Sequence, residues 1–213
     1  MAEPIIEKRT IWSKFAAFIE HLPRCVLPGL IGATIVAAAL IFLWPSYTEF
    51  PMDDAYIHFV YARNLAEQGK LFFSFPHEKG VAASSLLWVL LLAAGHKADP
   101  TAMHLLAKLI GVASLVIVGV GVYWLLRPTW HPLQAFGAAL LVTLSGNMLW
   151  FSLSGMETIF FLALGILSLL AYRAGRWGWL SLVLGLLTLT RPEGMFLVGA
   201  IGLVEVFSRG WPR

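Results

Sequence analysis

The chain has 213 residues, of which 59% are hydrophobic and only 13% charged, with a net charge of +3. Soluble domains carry about 25% charged residues, so this composition argues against a water-soluble protein and for an integral membrane one. The basic residues are scattered rather than clustered, which argues against nucleic-acid binding, and the one cysteine, Cys25, allows neither an internal disulfide nor a thiolate metal site.

Lys8, Arg9, Lys14 and Arg24 precede an apolar run of about 20 residues, long enough to span a bilayer and not closed by a small-x-small cleavage site. A start-transfer anchor with a cytoplasmic N-terminus is expected. Residues 1–24 form its cytoplasmic flank, with Trp12, Phe15, Phe18, Ile19 and Leu22 at the spacing of a helix lying on the membrane. The first span is expected from about Cys25 to Trp44. A polar excursion, 45–83, follows outside. Within it Tyr56, Phe59, Val60 and Arg63-Asn64 predict a short amphipathic helix. Asp53 or Asp54 would stand at its N-cap or first turn, where a carboxylate is favoured, and Gly69 would end it.

Ser84 to Gly95 is apolar but short for a span. Met103–Leu126, Leu133–Phe151, Thr158–Tyr172, Trp179–Leu189 and Met195–Phe207 complete the expected crossings. If the short segment does not cross, Arg127, Arg173, Arg176, Arg209 and Arg213 join the N-terminal basic residues on one side, as the positive-inside rule requires. Asp53, Asp54, Glu157, Arg191 and Glu193 then share the other side. The expectation is therefore an all-α polytopic membrane protein of about six spans, with Ser84–Gly95 re-entrant or in the outer interface. Residues 25–207 form its membrane module and 208–213 a cytoplasmic tail or truncation point. Lys108, near the start of its span, is expected to snorkel to the surface.

Four groups of residues could carry chemistry. Adjacent carboxylates such as Asp53-Asp54 suit metal binding or proton abstraction, because their repulsion raises one pKa; the same pair also serves as a helix cap with a solvated neighbour. Glu157, in Ser154-Gly155-Met156-Glu157-Thr158, lies between two apolar segments, where an unpaired carboxylate is costly. It is either a functional acid or the cap of the next helix. Arg191-Pro192-Glu193-Gly194 breaks an apolar run. Its guanidinium either pairs structurally or holds a phosphate. The histidines lack zinc spacing, and His58 is singled out for its closeness to the aspartates. Lys79 closes the excursion as a further cation.

Asp-Asp-Ala-Tyr-Ile, Tyr-Ala-Arg-Asn-Leu, Ser-Ser-Leu-Leu-Trp, Ser-Gly-Met-Glu-Thr and Leu-Thr-Arg-Pro-Glu-Gly, in this order, resemble the GT-C superfamily of membrane glycosyltransferases. The likeness is to the branch with the arabinofuranosyltransferases, over residues 26 to 207. It covers one conserved half of the family's usual length, so a fragment, a partner-dependent chain or one that keeps the fold without the activity is expected. His58 and the stretch from Gly80 to Ser85 depart from the family's pattern.

The resemblance implies inverting transfer of a sugar from a polyprenyl-phosphate donor to a hydroxyl of a glycan, lipid or protein acceptor, at the outer face of a bacterial inner membrane. Asp53 or Asp54 would be the base. Arg191, with Lys79 or a divalent metal (Mg or Mn), would hold the phosphate. Glu157, Glu193 and His58 would contact substrate, and Asp53, Asp54 and Glu157 would be the metal ligands. The alternative is a non-catalytic membrane subunit that binds a lipid-linked sugar or a partner membrane protein. A transporter is disfavoured because the charges gather at one face rather than at the midplane.

Overall fold

The computed structural model of the protein describes residues 19, 23–43, 50–73 and 85–209. Among them it is all-helical: α1 (Val26–Leu43), α2 (Asp53–Gln68), α3 (Leu86–Ala98), α4 (Met103–Leu126), α5 (Pro132–Thr143), α6 (Gly146–Leu153), α7 (Thr158–Arg173), α8 (Trp177–Thr190) and α9 (Gly194–Arg209). The expected helix at Trp12–Leu22, Lys79 and the Gly80–Ser84 stretch lie outside the described residues apart from Ile19.

The axis of the bundle is α4, which packs against α1, α3, α5, α6 and α7. Gly111 on α4 explains its approach to α6, for a β-carbon there would lie 1.9 Å from the Ser152 carbonyl oxygen. Only a residue without a side chain lets the two backbones come so close. Along one flank α7 packs on α4, α8 on α7, and α9 on α8.

The predicted amphipathic helix is α2. Asp53 and Asp54 occupy its first turn, and Met52 is the N-cap. Gly69 ends it in the left-handed region at φ 69°, with its N–H on the Leu65 carbonyl. Ala55, His58, Phe59 and Ala62, spaced i, i+3, i+4, i+7, are buried. Ala55, Phe59 and Ala62, with Tyr61, share a core with Trp88, Val89 and Leu92 of α3. The segment expected to be re-entrant or interfacial is thus a 13-residue helix, packed against α2, α4 and α8.

Two further details differ from expectation. The span expected at Leu133–Phe151 is two helices, α5 and α6, bent by 57°. The Thr143 hydroxyl bonds back to the Ala139 carbonyl, and Ser145 takes an extended conformation at φ −60°, ψ 140° as the new N-cap. Both habits of hydroxyl residues compete with helix continuation. Lys108 does not snorkel: it is 3% exposed, its ammonium 4.8 Å from the centre of the Phe50 ring.

Among the described residues α4 is long and apolar enough to cross a membrane, and the α5–α6 pair reaches that measure together. The apolar helices α1, α3, α7, α8 and α9 fall short of it.

Charged groups separate toward opposite ends of α7, a helix about 24 Å long at 1.5 Å per residue. At its C-terminal end Arg173 donates to the Leu125 carbonyl near the end of α4, and Arg24 and Arg127 line one cavity with Tyr123 and Pro132. At its N-terminal end lie Glu157, the start of α2 and the α8–α9 turn.

Candidate functional site

The site is assembled from the first half of α2, the turn before α7 and the turn after α8. Pro192 shapes the last of these. A residue before proline is pushed out of the α region, and Arg191 accordingly leaves α8 extended, at φ −149° and ψ 137°. Its side chain reaches α7: Nε donates to Glu157 Oε1 at 2.8 Å and Nη2 to Thr158 Oγ1 at 3.2 Å.

Glu157 is delivered by the Ser154–Met156 turn. Gly155 adopts φ +78°, and a β-carbon on it would lie 2.6 Å from the Phe50 ring. The Trp88 indole N–H donates to the Gly155 carbonyl at 3.2 Å. The turn is therefore clamped between α3 and the residues that lead into α2, and Glu157 is 1% exposed.

His58, one turn into α2, faces the same carboxylate. Its Nε2 stands 3.4 Å from Glu157 Oε2, with the His58 side chain 6% exposed. That is a close electrostatic contact rather than a hydrogen bond; Oε2 and His58 Nδ1 are buried without a hydrogen-bond partner among the described residues. Burial lowers the His58 pKa from its ordinary value, Glu157 and Asp54 pull it up, and the Arg191 guanidinium pushes it down. Burial prevails, which favours the neutral ring beside a carboxylate that is paired with Arg191.

The structure joins Glu157, Arg191 and His58 but not the other residues singled out in the sequence. Asp53 and Asp54 are exposed on the first turn of α2, with Asp54 near enough to act on His58. Glu193 is exposed beyond Arg191. Lys79 lies outside the described residues. Of the expected metal ligands, Glu157 has Oε1 taken up by the Arg191 guanidinium, and Asp53 and Asp54 stand at the surface. Among the described residues no three His, Cys, Asp or Glu side chains converge on a point.

Three neighbours carry no functional expectation in the sequence. Trp88 holds the Gly155 turn, Phe50 roofs both that turn and Lys108, and His104 meets Phe59 edge to face with ring centroids 4.7 Å apart. Only Trp88 bears a signal there, as the close of Ser-Ser-Leu-Leu-Trp. Beside them Tyr56, Phe59, Arg63, His96 and His104 line a cavity of about 310 Å³. Within it His96 Nε2 is held by Glu67 at 3.1 Å.

No protein-family model, curated protein or solved structure matches the chain.

Proposed function

We propose that the chain is a multi-span membrane glycosyltransferase module that moves a sugar from a polyprenyl phosphate to an acceptor hydroxyl at the outer face of a bacterial inner membrane. The observation that carries this reading is the meeting of Glu157, Arg191 and His58 within electrostatic reach of Asp54. Residues far apart in sequence, with Glu157 and Arg191 each in a motif that resembles the superfamily, converge at one end of the bundle, while Arg24, Arg127 and Arg173 gather at the other. That segregation is what about six crossings with the basic end in the cytoplasm would produce. On this reading α1, α4, the bent α5–α6 pair, α7, α8 and α9 cross, and α2 and α3 pack at the outer face.

The chemistry divides among the residues accordingly. Asp53 or Asp54 takes the proton of the acceptor hydroxyl as its oxygen bonds to the anomeric carbon. The bond from that carbon to the donor phosphate breaks, its electrons leave with the polyprenyl phosphate, and the configuration inverts. Arg191 offers the departing phosphate its remaining edge, since its side chain is 30% exposed and its Nη1 makes no hydrogen bond among the described residues. Glu157 and His58 are positioning residues that aim the guanidinium and brace the first turn of α2. Most of the rate would come from orientation and phosphate charge stabilisation. A divalent ion, where one is used, would be held by Asp53 and Asp54 with the free oxygen of Glu157, and no step above runs through it.

The test is transfer from a radiolabelled polyprenyl-phosphoryl sugar in liposomes that contain the purified chain. Asp53→Asn and Asp54→Asn are expected to lose transfer singly or together, and full activity in both variants would sink the mechanism.

The closed contact of Glu157 with Arg191 and His58 also favours a second reading, in which the module is a non-catalytic subunit that binds a lipid-linked sugar. It predicts no transfer from the isolated chain and a membrane protein that co-purifies with it.

A further inference from the structure

At the end of the bundle away from Glu157, α4, α7 and α8 enclose an open groove of about 630 Å³. Leu167, Leu170 and Val183 line it together with Trp124, Trp179 and the exposed Arg173 and Arg176. Both tryptophans are exposed, at 39% and 57%. Among the described residues no carboxylate lines the groove. It plays no part in the proposed transfer.

We propose that this groove is a binding site for an anionic phospholipid of the cytoplasmic leaflet. The inference rests on the membrane reading of the chain and not on its catalytic activity. Three physical features select this occupant. The aliphatic wall matches acyl-chain methylenes, which a soluble ligand would lack. Two exposed indoles suit the boundary between headgroups and hydrocarbon, where tryptophan is favoured. Two guanidiniums in the same groove supply the charge that an anionic headgroup needs, with fork geometry suited to a phosphate diester. Arg173 is steadied in place by its bond to the Leu125 carbonyl, so part of its ordering cost is met before the lipid arrives. Zwitterionic lipid fits the same wall, but its positive group would oppose the two arginines.

The experiment uses the full chain, purified in detergent and exposed to equimolar phosphatidylglycerol and phosphatidylcholine, with bound lipid counted by native mass spectrometry. Preferential retention of phosphatidylglycerol is expected. Arg176→Gln, which removes an exposed side chain, should reduce it about fivefold, as anionic surfaces attract each nearby basic residue by roughly that factor. Trp179→Ala should shorten retention of both lipids. Arg127→Gln, the same charge change in the neighbouring cavity, should leave it within about twofold. Equal retention of the two lipids would overturn the proposal, as would equal losses in Arg176→Gln and Arg127→Gln, which would mean a diffuse basic face. Lipid that binds only after residues 1–18 are deleted would instead assign the groove to the chain's own N-terminal segment. Extraction of the chain from membranes by alkaline carbonate is scored separately; it would refute the membrane reading, whereas the lipid comparison tests the groove.

Discussion

Arg191 and Glu157 are 34 residues apart and meet at 2.8 Å, with the carboxylate 1% exposed and the arginine 30% exposed. The pair ties the α8–α9 turn to the head of α7 and closes the bundle at that end. A carboxylate so buried depends on its cation. Losing one partner of such a pair typically costs about 3–5 kcal/mol, because the other is left as an uncompensated buried charge. Arg191→Met is therefore expected to destabilise the protein by about 3 kcal/mol, near the low end because the arginine is partly solvated. Replacing both residues with methionine should cost less than the sum of the single changes. Thermal unfolding in detergent, followed by helical circular dichroism, checks both; additivity would mean that the two do not interact.

His58 should make stability depend on pH in one direction. Burial holds its folded pKa below the ordinary 6.5, against the pull of Glu157 and Asp54 and with the help of Arg191. The unfolded chain therefore binds a proton at a pH where the folded chain does not. This contribution is fully present above pH 6.5 and is lost as pH falls through the folded value. The midpoint of unfolding should drop on acidification below 6.5, and His58→Gln should flatten that part of the curve. A protein that grows more stable on acidification, with the gain lost in His58→Gln, would show that the carboxylates prevail over burial.

Gly111→Ala should be among the most damaging small substitutions in the chain. The added methyl would meet the backbone of Ser152, which cannot rotate away. Overpacking of this kind costs about 1–3 kcal/mol, sometimes more. Gly137 in α5 is the control, since a β-carbon there would meet nothing within 4 Å. Gly137→Ala should be neutral or stabilise by about 0.5–1 kcal/mol through helix propensity. Equal melting temperatures for the two variants would mean that α4 and α6 do not approach as described.

Trp88→Phe keeps most of the ring but removes the N–H that reaches the Gly155 carbonyl at 3.2 Å. An unsatisfied buried carbonyl costs about 1–3 kcal/mol. The loss should centre on the turn that carries Glu157, seen as faster hydrogen exchange at the amides of Gly155 to Thr158. Uniform acceleration across the chain would argue for a general loss of packing instead.

Sidedness can be read from the single native cysteine. Cys25 is exposed at the end of the bundle shared with Arg24. In sealed vesicles a membrane-impermeant maleimide should label it only from the cytoplasmic side. In a Cys25→Ser background, Asp53→Cys should react only from the outside. Labelling of both positions from one side would defeat the proposed topology.

Helix content is legible in the sequence because its causes are local. Apolar runs, glycine and proline predict where α1, α4, α7, α8 and α9 lie to within a few residues. The start and stop of α2 follow from Asp53-Asp54 and Gly69. The break between α5 and α6 is not legible, because Thr143 and Ser145 are permissive rather than prohibitive, so their effect depends on context. Lys108 departs from expectation for a similar reason: a lysine near a helix start usually reaches solvent, unless another element covers it, and here Phe50 does.

By itself the sequence determined helices along the described residues, the acidic start of α2 and the charged turn at Arg191–Gly194. Those are consequences of composition and short-range periodicity. Only the tertiary structure decided that Glu157 meets Arg191 and His58, and that Asp53 and Asp54 remain at the surface. Partner choice among distant charges depends on which helix ends converge and how deeply each group is buried. Both are set by packing around α4, and neither is written in any local stretch of the chain.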